Sequence, residues 1–429
     1  MRFHVQTLTS TIAILGAAAC GTGNRSPGGP TSDAGSSTSG AGGSASSAGG
    51  STSSVGGSTS GTGGAPDAGL PDAGNLSTLG TMATGWAANE WHEIVTAPLQ
   101  SVFLSHAQED AIDPNLWQVT GPAGALSLWG SGAFDGQKLY VGDAGGHGGY
   151  NGNELYAYDF TSLSWSRLYD PSPVHGCVAS GAGHDCVPNW GPQALHQYDM
   201  VVHSKKANEL LQLGGPGGSL CWAWPLANAD PKTGWKTFPC PSNMQYNYMH
   251  TAEDPLTGDI IVFGAGSTGF SALDPVSLTY SRVSNNEATY GEEEVVADID
   301  PVRRRLFVIG AHSGGPDYGK FCVESVDIDA DPIAVASDSS SQPPTEMTTG
   351  ACFIHHAKSG KMLGWIGDQR LWSYDPDADA WASVPTTGVT PTSSHPNGPY
   401  QRCAYLPEVD LFVGYNDETR GMFAIRAAL

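Results

Sequence analysis

The sequence predicts an all-β fold made of six similar units. Three observations carry that prediction. A polar turn, a short apolar strand and a glycine recur at nearly constant spacing. The strands are only four to six residues long, which leaves no room for long helices. An aromatic residue closes most of the units.

The turn-plus-strand pieces are Asp135–Val141, Lys205–Leu213, Asp254–Phe263, Asp300–Ile309, Lys358–Leu363 and Pro407–Val413. The glycines that follow are Gly145-Gly146, Gly214-Gly215, Gly264, Gly310, Gly364 and Gly414, at spacings of 69, 50, 46, 54 and 50 residues. A third strand and its closing aromatic recur as Leu155–Asp159 to Trp165, Trp222 to Trp235, Ala272–Asp274 to Tyr280, and Leu371–Asp375 to Trp381. Radial four-stranded blades with this period form a β-propeller. The last unit stops at Phe423-Ala424-Ile425, one strand short. Trp91-His92-Glu93-Ile94-Val95 reads as the missing strand, so the ring is expected to close by N-terminal donation. The 69-residue spacing is longer than the others and leaves the blade number open.

The glycine pair, the Tyr and the Trp of these units resemble the kelch repeat over about residues 89–429. The resemblance implies a six-bladed kelch-type propeller, with Gly after the second strand letting neighbouring blades approach.

The chain has 429 residues and a formal charge of −23. Residues 21–80 are nearly all Gly, Ser, Thr, Ala and Pro, without one aromatic side chain. Such a segment cannot bury enough apolar surface to offset chain entropy. It reads as a flexible tether with a root-mean-square span of roughly 40–45 Å. Residues 1–20 read as an export signal: Arg2, an apolar run from Leu8, then Ala17-Ala18-Ala19 before Cys20. This end resembles a bacterial lipobox, which implies an acylated Cys20 at the cell envelope. The foldable part is then 81–429. It keeps 17 basic and 39 acidic side chains, a poor surface for nucleic acid. Apart from a lipid anchor, no membrane contact is expected, and the domain reads as a monomer.

An exported chain permits disulfides. Local pairing predicts Cys177–Cys186, Cys221–Cys240 and Cys322–Cys352, leaving Cys403 over. No CxxC supports a zinc ribbon.

Blade turns should gather on two faces. The turn face collects Lys205, Lys206, Asp254, Arg303, Arg304, Lys358 and Asp375, and reads as an ordinary solvated surface. The loop face collects His, Tyr and Arg, which suit a polar ligand. Tyr198, Tyr248 and Tyr400 fall at equivalent starts of the innermost strands and are expected to ring the channel mouth. Tyr150, His250, His312, Arg370, Arg402 and Arg420 complete the expected substrate-binding set. The sharpest motif is Gly145-Gly146-His147-Gly148-Gly149-Tyr150-Asn151-Gly152-Asn153-Glu154-Leu155-Tyr156. It resembles a loop in kelch-like propellers that include ulvan-type polysaccharide lyases. That resemblance implies His147 and His196 as catalytic groups, with Tyr248 or Tyr290 as proton carrier in a β-elimination at a uronate.

Asp375-Pro376-Asp377-Ala378-Asp379, Asp327-Ile328-Asp329-Ala330-Asp331 and Glu292-Glu293-Glu294 offer oxygen ligands compatible with a structural divalent cation. No other cofactor is expected. Three functions follow from these residues: binding of an extracellular polysaccharide or oligosaccharide, a polysaccharide lyase, or a protein-interaction scaffold.

Overall fold

The computed structural model describes residues 76–142, 149–179, 184–194, 197–214, 220–227, 230–241, 249–264, 269–284, 295–311, 321–339, 341–348, 350–394 and 397–429. Among them, six antiparallel sheets form a ring. The innermost strands of successive blades are Gly132–Phe134, Val201–Ser204, Met249–Glu253, Val296–Asp300, Cys352–His356 and Cys403–Leu406. Each of these strands lies against the next, and the sixth returns to the first. The chain is a six-bladed β-propeller.

The ring closes as the sequence predicts. Glu90–Ile94 pairs antiparallel with the last strand, Met422–Ile425, placing Trp91 opposite Ile425 and Ile94 opposite Met422. Trp91 is fully buried and sits edge-on to Phe412 and beside Trp365. Its indole N–H donates to the Gln369 carbonyl at 3.0 Å. A short fifth strand, Thr387–Gly388, runs parallel outside it.

The core is layered between blades. Six apolar clusters fill the six blade–blade interfaces. The second strand of the third blade shows why its sequence is apolar throughout. Ile260 and Val262 face the second blade, while Ile261 and Phe263 face the fourth. A strand buried on both faces reads as a continuous apolar run. The glycine after such a strand allows close approach: a Cβ on Gly414 would lie 2.4 Å from the Trp365 ring.

The long first spacing holds an inserted hairpin rather than a further blade. A hairpin, Val174–Ala179 with His184–Pro188, stands between the first two blades, stapled by Cys177–Cys186. Cys221–Cys240 also forms, within the second blade. The third predicted pair does not. Cys352 bonds Cys403, and Cys322 lies outside the three disulfides, buried in the fourth blade. Cys352 and Cys403 both open the innermost strands of adjacent blades. Ring geometry brings equivalent positions together across 51 residues, which a rule of shortest loops cannot see. Thiol counting under denaturing conditions should therefore find the same three disulfides in Cys322→Ser, whereas Cys403→Ser should release Cys352.

The turn face is more than a solvated surface. Lys206 of the second blade reaches Asp259 and Asp274 of the third. Arg304 of the fourth forks onto Asp254 of the third at 2.6 and 2.7 Å. Arg303 spans from Asp300 to Asp377 of the fifth, and Lys358 meets Asp410 of the sixth. These pairs staple neighbouring blades. Three disulfides place the domain in an oxidising, extracytoplasmic setting. No described helix is long and apolar enough to cross a membrane.

Candidate functional site on the loop face

The loop face carries the long connections. Residues 95–131 cross it between the closing strand and the first blade. They include the helix His106–Ile112, opened by a capping box in which the Ser105 N–H donates to Gln108 Oε1 at 2.9 Å. The stapled hairpin rises beside this strap. The two are joined where the Val174 N–H donates to Asp113 Oδ2 at 3.1 Å.

The structure moves most of the expected binding residues out of reach of a ligand. Tyr198 and Tyr400 do occupy equivalent positions, with φ of +45° and +39°. They turn inward rather than ringing an open mouth. Their rings meet edge to face at 5.6 Å, and both side chains are fully buried. Tyr150 is also fully buried. Its O–H lies 2.7 Å from Glu109 Oε1 and 2.8 Å from Glu154 Oε1. Tyr156 donates to that same Glu154 oxygen at 2.7 Å. Burial pushes the Glu109 carboxyl up to about 8, and it raises Glu154 too. His250 is buried against Phe263 with no partner for either ring nitrogen, and burial takes it down to about 3. It is a neutral packing group.

The three arginines are spent on structure. Arg402 is fully buried and donates to the Gly398 carbonyl at 2.8 Å, and to the Gly130 carbonyl and Asn416 Oδ1. No acid pairs with it among the described residues, and burial lowers it to about 9. Arg420 forks onto Glu93 at 3.0 and 2.5 Å, so it fastens the closing strand to the sixth blade. Arg370 is exposed, lies over the Trp372 ring at 5.6 Å, and is held by Asp368 and Glu346. His147, His196, Tyr248, Tyr290 and His312 lie outside the described residues, as do Cys20 and Glu292–Glu294.

Residues that sequence reasoning missed cross the inner ring. The Asp199 carboxyl of the second blade lies beside the Ala297 backbone N–H of the fourth. From the other side, Gln401 Nε2 donates to the Ala297 carbonyl at 2.8 Å and to the Phe353 carbonyl at 3.0 Å. Burial, and then the neighbouring Asp298, raise Asp199 well above the usual carboxylate range. One signal was available: Asp199 and Gln401 each follow one of the two equivalent tyrosines.

Among the described residues, every Lys and Arg except Lys205, Lys232 and Arg402 has an acid within ion-pair distance. Of the arginines expected on the loop face, Arg370 and Arg420 are therefore engaged by acids and Arg402 is buried. Among the described residues there is also no cluster suited to a metal ion.

No protein-family model matches the chain, and no curated protein matches it. Solved structures of similar backbone include an auxiliary nutrient binding protein from Bacteroides ovatus, 11 % identical, TM-score 0.40, covering 72 % of this chain and 68 % of that one. Another is the auxiliary nutrient binding protein from Bacteroides thetaiotaomicron, 10 % identical, TM-score 0.41, covering 70 % and 68 %. A third is the exo-beta-1,3-galactanase from Phanerochaete chrysosporium, 13 % identical, TM-score 0.37, covering 71 % of each chain. Likeness at this level says nothing about ligand or activity.

Proposed function

We propose that this chain is an exported kelch-type propeller, tethered to the cell envelope through an acylated Cys20 and the Gly/Ser/Thr-rich segment after it, whose loop face binds a neutral polysaccharide or its fragments. The tether ends before residue 76, because Leu76 and Leu79, inside the stretch expected to be flexible, are buried in the propeller core around the helix Ser77–Met82. The observation that carries this reading is the contrast between the two faces. Short turns on one face are consumed by ion pairs between blades, while the strap, the stapled hairpin and residues 149–154 gather on the other. Binding residues concentrate on loops that a rigid scaffold positions. Neutral sugar follows from the spent cations: Arg370 and Arg420 are paired and Arg402 is buried. Among the described residues of this face, that leaves no unpaired exposed arginine for a uronate carboxylate.

The test is a glycan panel containing neutral, uronate-bearing and sulfated polymers, probed with the purified chain. Binding to a neutral glycan should change little between about 0.05 and 0.5 M salt, because no ion pair with the ligand is screened. Binding confined to anionic glycans, with steep salt dependence, overturns the neutral assignment. Release of an unsaturated uronate, read by its absorbance and lost in His147→Ala, would establish the lyase instead. Capture of a protein with no glycan bound would establish the scaffold.

A further inference from the structure

The phenol of Tyr150 touches two carboxyl groups, and simple proton counting shows what that requires. Its oxygen lies 2.7 Å from Glu109 and 2.8 Å from Glu154. A phenol carries one proton and can donate to one of them. Two unprotonated oxygens at the other contact would repel. The second contact closes only if a carboxyl supplies the hydrogen. The Tyr156 proton cannot serve, since it is already directed at Glu154 Oε1. Both glutamates are buried, and each has a second oxygen with no partner. Two negative charges there would face severe desolvation.

The surroundings offer little compensation. On the helix of Glu109 stand His106 and Asp110, and those two side chains are within 3.4 Å of each other. From the first blade, Arg167 is the cation whose charge reaches the cluster. Its guanidinium is engaged by Asp170 at 2.9 Å and the Val102 carbonyl at 2.6 Å. Gly152 closes the cluster from the loop side: a Cβ there would lie 2.3 Å from the Tyr150 oxygen and 2.4 Å from Glu154 Oε2.

The elements joined at this point are separate parts of the loop face. Val119 and Thr120 N–H donate to the Gly149 carbonyl at 2.8 and 3.1 Å, and the Asn151 N–H donates to the Leu116 carbonyl at 3.0 Å. The strap 105–120 is thus laid along 149–151, with Glu109 and Tyr150 as the buried clasp. We propose that a single proton shared among Glu109, Tyr150 and Glu154 latches this strap to the end of the glycine-rich loop, and that its loss frees the strap while the ring of blades stays folded. This proposal does not depend on the identity of any ligand.

The sign follows from the direction of the shift. Glu109 moves from 4.5 up to about 8 in the closed state. The open state sheds a proton that the closed state keeps across that window. Opening should therefore become easier by up to about tenfold per pH unit from about pH 5, levelling above about pH 8.

Hydrogen exchange of the full chain, with protection corrected for intrinsic rates, reads this directly. Protection in 105–120 and 149–154 should fall by up to about tenfold per pH unit between pH 5.5 and 8, while the innermost strands hold theirs. In Glu109→Gln the amide donates to Tyr150 permanently, so protection should be flat with pH. If that variant does not fold, Glu154→Gln reads the same way, since one neutral partner leaves Tyr150 free to donate to the remaining carboxylate. Wild-type protection that does not respond to pH, or an equal response in a folded Gln variant, overturns the latch.

Discussion

Trp91→Ala should destabilise the propeller by about 3–5 kcal/mol, the range for truncating a buried aromatic. Trp91 lies on the one strand that arrives from the opposite end of the sequence. It fills the layer between the fifth and sixth blades with Trp365, Phe412 and Ile425. Losing it leaves a cavity beside the donated strand, and it removes one of two hydrogen bonds to the Gln369 carbonyl, which keeps that from the Thr386 hydroxyl. Urea melts followed by far-ultraviolet circular dichroism would measure this. Trp91→Phe should cost less, because an aromatic ring still fills most of the layer. An alanine variant within about 1 kcal/mol of wild type, well below the cavity range, would show that the donated strand does not hold the ring.

Arg304→Ala should cost about 3 kcal/mol, because it strands a buried carboxylate. Asp254 is fully buried and takes both forks of Arg304, plus the Thr257 hydroxyl at 2.8 Å. Burial alone would raise its pKa, yet the Arg304 and Thr257 hydrogen bonds hold it below the ordinary value. A lowered carboxyl stabilises the fold above its unfolded value of 3.8 and loses that contribution as pH falls through the folded value. The gap between wild type and Arg304→Ala should thus be widest near neutrality and shrink below about pH 4. Pairing the variant with Asp254→Asn should recover part of the loss. A gap that is constant with pH would assign the cost to lost packing of the arginine stem instead.

The repeat was legible because each blade solves the same local problem with the same residues. The run Ile260–Phe263 is apolar at every position since both its faces are covered. The donated strand was legible from a deficit, the missing fourth strand after Ile425, and from Trp91–Ile94 having the right pattern. The site was much less so. Tyr150, Tyr198, His250, Tyr400 and Arg402 have polar groups suited to a ligand, and their sequence positions are on the loop face. All five are buried. Tyr150 is engaged by Glu109 of the helix His106–Ile112 and by Trp117, from a segment outside the repeat. Arg402 is buried by carbonyls from Gly130, Leu126 and Gly398, whose positions no periodicity describes.

Six repeated units, the missing fourth strand and the N-terminal strand that supplies it are legible along the chain. Each depends on patterns that recur within about fifty residues, or on one strand's absence from that pattern. The closed ring settles the partner of Cys352, which charges are spent between blades and which polar side chains are buried. Cys352 bonds Cys403 because a ring places equivalent positions of adjacent blades side by side. Arg420 serves the seam because Glu93 comes from the far end of the chain. Proximity in a closed ring is set by blade number and angle, so contacts between blades cannot be read along the chain.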